Sequence, residues 1–236
     1  RMLTTPKSFA YMKIAEGCDR ACGFCAIPSF RGPQKSREVD SILREVDDLS
    51  IREAVLVAQD LASYGSDLGR RGSIVSLVNA VRERVERVRL LYLYPSDLSD
   101  ELIEAILASG LPYFDLSLQH VTRGHLRRMR RWGDGGKFLE RIGRIRELCP
   151  EAVFRSNFIV GYPGETEEDF NQTLNLVKKL KFINSFSFIL FGTVDIFPAF
   201  FSICLIFPIF QILVTKAFCA SAGVFDFLIS SIIASI

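Results

Sequence analysis

Short apolar runs alternate with amphipathic stretches along the first 190 residues of the chain. Each apolar run has the length of a buried β-strand, whereas the stretches between the runs repeat apolar residues at helical spacing. Ser99, which precedes two acidic residues, and Thr166, three residues before Asp169, are typical of helix N-caps. The pattern predicts strands at residues 11–15, 53–58, 88–94, 113–118, 152–160 and 184–190, and helices at 36–49, 74–85, 123–131, 137–148 and after the two caps.

This alternation of strands and helices predicts an α/β fold, in which helices cover one parallel sheet. Right-handed crossovers between successive strands turn five such units and a sixth strand into a partial (β/α)6 barrel of the TIM-like type. In these barrels the functional side chains lie at the carboxyl ends of the strands. We therefore expect the chemistry of the protein in the loops that follow the strands.

The end of the chain differs sharply in composition from the rest. Residues 182–236 carry three of the 56 charged side chains but 12 of the 20 phenylalanines. Residues 196–214 are 19 consecutive uncharged positions, a length that reaches the range of a membrane span. Two prolines and little flanking basic charge weaken that interpretation, and we expect no membrane partner. We divide the chain into a core domain, residues 1–190, and an apolar tail, residues 191–236, which is a membrane segment, buried core elements or a sequence foreign to the fold.

Three cysteines, Cys18, Cys22 and Cys25, follow the first predicted strand with the spacing C-x3-C-x2-C. A structural zinc site needs a fourth nitrogen or sulfur ligand, and the sequence offers none nearby. Their crowding disfavours a disulfide framework, and ferredoxin clusters use four cysteines at other spacings. Three thiolates instead suit a cubane iron–sulfur cluster with one iron open to a small molecule. Free thiols of this kind also indicate a reducing compartment.

Polar residues end several of the predicted strands. Gln59 and Asp60 follow the second strand, and Gln119 and His120 end the fourth. Gln119 and His120 can donate hydrogen bonds to ribose or substrate oxygens at the barrel mouth, although His120 is explained equally well as a buried structural histidine. Arg155 on the fifth strand needs an anion if it is buried, either a cofactor carboxylate or a carboxylate side chain.

Charge and length restrict the function only weakly. A net charge of +2 over 236 residues gives no argument for nucleic acid or a membrane surface. The basic cluster at residues 127–131 is ordinarily a solvated helix face, and contact with ribosomal RNA or an acidic loop is the alternative. Because Arg1 is not an initiator methionine and no signal peptide opens the chain, we expect a fragment or processed product of a cytoplasmic protein.

Together these segments resemble the radical S-adenosylmethionine (SAM) methylthiotransferases over roughly residues 8–190. The resemblance is carried by residues 16–32, 59–65, 119–120 and 155–161. It implies that the three cysteines bind a [4Fe-4S] cluster whose open iron chelates SAM. It further implies SAM contacts from Gln59, Gln119, Arg155, Ile159, Gly161 and Gly164, the last three in the adenine-contacting segment after the fifth strand.

Within this family the chain is most similar to enzymes that methylthiolate an aspartate of small-subunit ribosomal protein S-twelve. A tRNA-adenosine methylthiotransferase, which usually has asparagine and serine where Asp60 and His120 stand, and an inactive radical SAM fragment are the alternatives. The resemblance places a second [4Fe-4S] cluster, which the family needs for sulfur insertion, in an N-terminal domain outside this sequence. We therefore expect a barrel incomplete at both ends, which takes an electron from a donor and cleaves SAM but fails to insert sulfur.

Overall fold

The structure, a computed structural model, describes residue 6, residues 8–182 and the backbone of residues 184–189 and 211–214. Its strands are β1 (Phe9–Lys13), β2 (Ala15–Glu16), β3 (Lys35–Ser36), β4 (Glu53–Val57), β5 (Arg87–Leu93), β6 (Tyr113–Gln119), β7 (Val153–Val160), β8 (Asn184–Ile189) and β9 (Gln211–Val214). Its α-helices are α1 (Ile27–Arg31), α2 (Val39–Leu49), α3 (Ser73–Arg82), α4 (Asp100–Leu107), α5 (Arg123–Arg128), α6 (Gly135–Leu148) and α7 (Glu167–Leu180).

One parallel sheet of seven strands organises the molecule, in the order β1-β4-β5-β6-β7-β8-β9. Helices α2 to α7 lie in the connections between these strands, which is the arrangement of successive βαβ units. In the described part of the chain β1 and β9 form the two edges of the sheet, so the architecture is a partial barrel. The predicted α/β fold class is confirmed.

Apolar side chains are buried on both faces of the sheet, as expected when helices cover parallel strands. Three consecutive residues of β4, Ala54 to Leu56, are buried. Phe114 on β6 pairs in register with Phe154 on β7, and their stacked ring centroids lie 5.3 Å apart. Burying each ring contributes about 1.5–3 kcal/mol to the free energy of folding. This pair therefore stabilises the alignment of two strands that carry the site described below.

A short hairpin changes the predicted start of the second element. Lys35–Ser36 pair antiparallel with Ala15–Glu16, so the helix predicted from residue 36 begins at Val39. The same hairpin ends the first predicted strand early, because the chain turns out of the main sheet after Lys13. The consequence is a loop, residues 17–34, that is closed at its base and carries all three clustered cysteines.

The sheet continues past residue 190 into the apolar tail. β9 pairs in parallel with β8, with Phe186 opposite Gln211. The rest of the 19 uncharged residues at 196–214 lies outside the described residues. The domain boundary at residue 190 and the three interpretations of the tail therefore stay predictions. Among the described residues, no helix combines the length and the apolar character needed to cross a membrane.

The capping box predicted at the start of α7 is confirmed. Thr166 Oγ1 accepts a hydrogen bond from the Asp169 N–H at 3.2 Å, and the Asp169 carboxylate accepts one from the Thr166 N–H at 3.1 Å. We expect Thr166→Ala to lower the free energy of unfolding by about 1 kcal/mol, because it removes the hydroxyl cap. Urea denaturation measures the loss. Thr166→Ser retains the hydroxyl and serves as control, and equal losses in both variants would contradict the role of the cap.

Candidate active site

A cavity of about 440 Å³ opens at the carboxyl ends of the parallel strands. The cysteine loop forms one side of the cavity, and residues at the ends of β4 to β7 form the other. This is the position expected for a site in such a sheet. Six of the nine predicted site residues lie in its wall: Cys18, Cys22, Cys25, Gln59, Gln119 and Ile159.

The loop between β2 and β3 presents three thiols to this one cavity. Gly17 has a φ of +79°, and a Cβ at this position would lie 2.2 Å from the Pro33 carbonyl oxygen, so only glycine fits. Cys18 is buried, whereas Cys22 and Cys25 are half-buried, and all three are free cysteines. The close approach at Gly17 therefore fixes the backbone where the loop enters the site.

Arg20 links the cysteine loop to two acidic side chains. Its Nε donates to Asp60 Oδ2 at 2.6 Å, and its Nη2 pairs with Asp97. Burial opposes the charge of the guanidinium, but the hydrogen bonds and charges of both aspartates outweigh burial and raise the pKa of Arg20. The Arg20 backbone N–H also donates to Cys18 Sγ at 3.4 Å. Burial raises the pKa of the Cys18 thiol, and this backbone hydrogen bond lowers it in part.

Two strand ends in the cavity wall have strained backbone conformations. Tyr92 and Gln119 have φ values of +63° and +72°. The pairing register shifts at both places, between Leu90 and Leu93 and between Leu116 and Gln119. Each such non-glycine residue costs about 1–3 kcal/mol, and residues of this kind cluster at functional sites. Both side chains line the cavity, so the irregular pairing is concentrated at the site.

Two buried amide oxygens in the cavity wall accept no hydrogen bond within the described part of the chain. They are Gln59 Oε1, just beyond β4, and Asn157 Oδ1, on β7. Buried side-chain oxygens of native proteins nearly always accept a hydrogen bond. Both oxygens therefore suit the hydroxyl or amino donors of a ligand. Sequence reasoning missed Asn157, whose only signal is its place two residues before Ile159 on the same strand face.

Arg155 lies next to Asp115 and is not brought into the cavity wall with the cysteines. Its Nη1 donates to Asp115 Oδ2 at 2.9 Å, where the two residues pair in register across β6 and β7. Asp115 is fully buried, and burial raises its pKa more strongly than any single contact lowers it. Of the two anions expected for a buried arginine, the structure supplies the carboxylate side chain.

This ion pair gives a stability prediction. We expect Asp115→Ala to lower the free energy of unfolding by about 3–5 kcal/mol, because it removes the carboxylate beside a largely buried guanidinium. Asp100, more than half exposed and paired with Arg144 at 3.0 Å, is the matched control, and its replacement by alanine should cost less than about 1 kcal/mol. Urea denaturation of both variants measures the difference, and similar losses would contradict the structural role of Asp115.

Glu165 holds the turn that follows β7. Its Oε2 accepts hydrogen bonds from the backbone N–H of Gly161 at 2.5 Å and of Tyr162 at 3.1 Å. Gly161 and Gly164 have φ values of +75° and +79°, a conformation that glycine adopts without strain. In the described residues these glycines lie beyond the cavity wall, whereas Ile159 lies in it. Sequence reasoning did not assign Glu165 a role, because its hydrogen-bond partners are backbone N–H groups whose positions depend on how the turn folds.

His120 is fully buried, and the described contacts give it a structural role. Its Nδ1 accepts a hydrogen bond from the Thr122 N–H at 3.1 Å, so the ring proton lies on Nε2. Nε2 then donates to Glu165 Oε1 at 3.2 Å. Of the two roles that the sequence left open for His120, the structure supports the buried histidine that fixes another side chain.

A second histidine, His125, extends this network, and sequence reasoning missed it. The His125 ring stacks on His120 with ring centroids 4.5 Å apart. Its Nε2 accepts from Arg128 Nη2 at 2.5 Å, and its Nδ1 lies 2.9 Å from Thr122 Oγ1. Burial, and after it the positive charge of Arg128, lowers the pKa of His125. A chain of hydrogen bonds thus connects α5 to Glu165 and the turn after β7.

The family of the chain follows from its sequence. A sequence profile of the Radical SAM superfamily matches residues 12–177. The chain belongs to the radical SAM superfamily. Similar curated proteins include those named ribosomal protein uS12 methylthiotransferase RimO from Aquifex aeolicus and Sorangium cellulosum, which are 44% and 43% identical to it. These matches cover 76% and 77% of this chain but 43% and 40% of the relatives, so the chain spans less than half of their length.

Solved structures, one of them described as a radical SAM enzyme, share the fold. Coproporphyrinogen III oxidase HemN from Escherichia coli matches with a TM-score of 0.56 at 16% identity, over 97% of this chain and 52% of that one. Streptococcus suis SuiB bound to S-adenosylmethionine matches with a TM-score of 0.59 at 12% identity, over 89% of this chain and 51% of that one. At these identities the similarity concerns the fold alone, and it agrees with the partial barrel.

Membership of the radical SAM superfamily implies a [4Fe-4S] cluster and SAM as cofactors, and the cavity fits both. Three free cysteines supply the thiols. The buried side-chain oxygens of Gln59 and Asn157 accept no hydrogen bond from the described residues, so both can accept one from SAM. Within the described residues, no three His, Cys, Asp or Glu side chains converge on a single metal ion. A cubane binds each thiolate to a different iron, so its ligands need no common point. The assignment of individual residues to the cluster and to SAM stays a prediction.

Proposed function

We propose that this chain is the catalytic core of a radical SAM methylthiotransferase that modifies the β-carbon of an aspartate in ribosomal protein uS12. The observation that carries the proposal is that Cys18, Cys22 and Cys25 line one cavity. The substrate is proposed from the names of relatives that are 44% and 43% identical to the chain. As the resemblance to the methylthiotransferases implies, we further propose a second [4Fe-4S] cluster, held by an N-terminal domain outside this sequence.

The three cysteines would hold the first cluster, whose open iron would bind SAM. When bound, the cluster and SAM would supply radical chemistry that can remove a hydrogen atom from an unreactive carbon. Gln59 and Asn157 would accept hydrogen bonds from the bound SAM, since their buried oxygens have no other partner in the described residues. The segment from Ile159 through the turn held by Glu165 would contact the adenine.

The cavity wall is suited to radical chemistry because one side of it is apolar. Phe24, Ile27 and Phe30 line this side, and Phe30 is 66% exposed at the surface. Apolar side chains exclude water and so limit side reactions of a reactive intermediate. An exposed aromatic ring at the rim also suits contact with a protein substrate. We further propose a cytoplasmic location and an external electron donor, in keeping with free thiols in a reducing compartment.

The cofactor part of the proposal is tested on the chain after anaerobic reconstitution with iron and sulfide. The electron paramagnetic resonance (EPR) spectrum of the dithionite-reduced protein is recorded with and without SAM. We expect a cubane signal that changes when SAM is added, because SAM binds the open iron. Failure to form a cluster, or an EPR signal that stays the same when SAM is added, would refute this part of the proposal.

The substrate part needs a readout that does not depend on sulfur insertion. We would supply uS12 deuterated at aspartate β-carbons and measure deuterium in the 5′-deoxyadenosine formed. Deuterium transfer is expected, because hydrogen abstraction precedes sulfur insertion. Unlabelled uS12 and tRNA are the controls. Turnover stimulated by tRNA, with no deuterium transfer from uS12, would instead assign the chain to the tRNA-adenosine methylthiotransferases.

A further inference from the structure

Arg131 places a positive charge against Cys22, one of the three cysteines assigned to the cluster. Its Nη1 donates to Cys22 Sγ at 3.6 Å, and its Nη2 donates to the Ser117 carbonyl oxygen at the end of β6. The guanidinium also stacks on the Tyr94 ring, with its Cζ 3.9 Å from the ring centroid. These three contacts hold the donor in one orientation, and Arg131 itself lines the cavity.

The backbone after α5 places this side chain. The helix predicted at residues 123–131 ends at Arg128. Arg130 takes a left-handed φ of +53°, and the Arg131 N–H donates back to the Leu126 carbonyl at 2.7 Å. The Met129 carbonyl accepts from the Gly23 N–H of the cysteine loop at 2.9 Å. The loop and the end of α5 are therefore joined by a backbone hydrogen bond directly beside the contact between Arg131 and Cys22.

Arg20 shows why the charge of Arg131 matters. Both guanidiniums lie 3.9 Å from the centroid of the Tyr94 ring. Asp60 and Asp97 balance the charge of Arg20. Among the described residues no carboxylate forms an ion pair with Arg131. Its guanidinium instead donates a hydrogen bond to Cys22 Sγ. A guanidinium stays protonated in proteins, so Arg131 is a permanent cation and hydrogen-bond donor facing the site.

We propose that Arg131 is a positioning residue that raises the reduction potential of the cluster through Cys22. Reduction adds one electron to the cluster and makes its sulfur ligands more negative. A nearby cation that donates to a ligand sulfur stabilises this reduced form more than the oxidised form. The proposal deepens the proposed function and rests on it, since it requires that Cys22 is a cluster ligand.

The test is an EPR-monitored redox titration of the reconstituted chain without SAM. We expect Arg131→Met to lower the ratio of reduced to oxidised cluster at a given applied potential about tenfold, which is 59 mV for one electron. Arg131→Lys retains the charge but not the planar fork, and should shift the potential in the same direction by less. Iron and sulfide content confirms that each variant carries the cluster. If Arg131→Met loses the cluster, the lysine variant decides the test.

Arg127→Met is the matched control, because Arg127 is an exposed arginine of α5, four positions before Arg131, and does not line the cavity. Its potential should equal that of the wild type. Wild-type potentials in both Arg131 variants, or an equal shift in the Arg127 variant, would overturn the inference. Unchanged potentials together with weaker SAM binding would assign Arg131 to SAM instead. A wild-type chain without a cluster would refute the proposed function, and this inference with it.

Discussion

Replacing Cys22 with alanine is expected to abolish SAM cleavage. Cys22 is half-buried in the cavity wall beside Cys18 and Cys25, and its loss leaves two of three thiols for the cluster. With only two ligands the cluster should not be held with its open iron fixed toward SAM. We expect both the iron content after reconstitution and the formation of 5′-deoxyadenosine to fall to background. Retained formation of 5′-deoxyadenosine would refute the role given to the three cysteines.

Cys149 provides the matched control for this experiment. It is also a half-buried free cysteine, but it caps the carboxyl end of α6 and does not line the cavity. Cys149→Ala should therefore retain the cluster and SAM cleavage. Circular dichroism of both variants should resemble that of the wild type, which separates loss of the cluster from loss of the fold.

Replacing Glu165 with alanine is expected to weaken SAM binding at least tenfold. The change removes the acceptor of the buried Gly161 N–H, of the buried His120 ring proton and of the partly buried Tyr162 N–H. Each buried donor left unsatisfied costs about 1–3 kcal/mol. The turn should therefore move to reach water, which displaces the segment that begins at Ile159. Equilibrium dialysis of SAM against the reconstituted protein measures the change in dissociation constant.

Two further variants show whether Glu165 acts through the turn. Glu165→Gln retains one acceptor oxygen and should lie between the wild type and the alanine variant in SAM affinity. Glu168, exposed in the first turn of α7, is the matched surface control, and Glu168→Ala should bind SAM like the wild type. A loss of stability in Glu165→Ala without any loss of SAM affinity would limit Glu165 to a structural role.

The positions of the cysteine loop, Gln59, Gln119 and Ile159 were predictable because each depends on local information. Apolar periodicity locates the strands, and parallel topology brings their carboxyl ends to the same edge. Residues at those strand ends therefore lie close together, independently of how the individual side chains pack. The helix start at Thr166 belongs to the same class, because a capping box is a local pattern of side chains.

The partners of buried polar residues were not predictable, because they are distant in the sequence. Arg155 and Asp115 are 40 residues apart, and His120 and Glu165 are 45 apart. Their pairing depends on strand register and on the irregular pairing at Gln119, for which periodicity carries no signal. From the sequence, only the need of a buried arginine for an anion could be predicted. The register of β6 and β7 decides that this anion is Asp115.

The β2–β3 hairpin closes the cysteine loop through backbone pairing that requires no cofactor. Its pairing ties together the ends of residues 17–34, an 18-residue loop. Closing a free loop of that length costs conformational entropy on the order of 2–3 kcal/mol. Here the pairing of β2 with β3 offsets this cost when the chain folds. Cofactor insertion can then follow folding as a separate late step, unlike in zinc fingers, which fold only with their metal. We therefore expect iron and sulfide to assemble on the chain after it has folded.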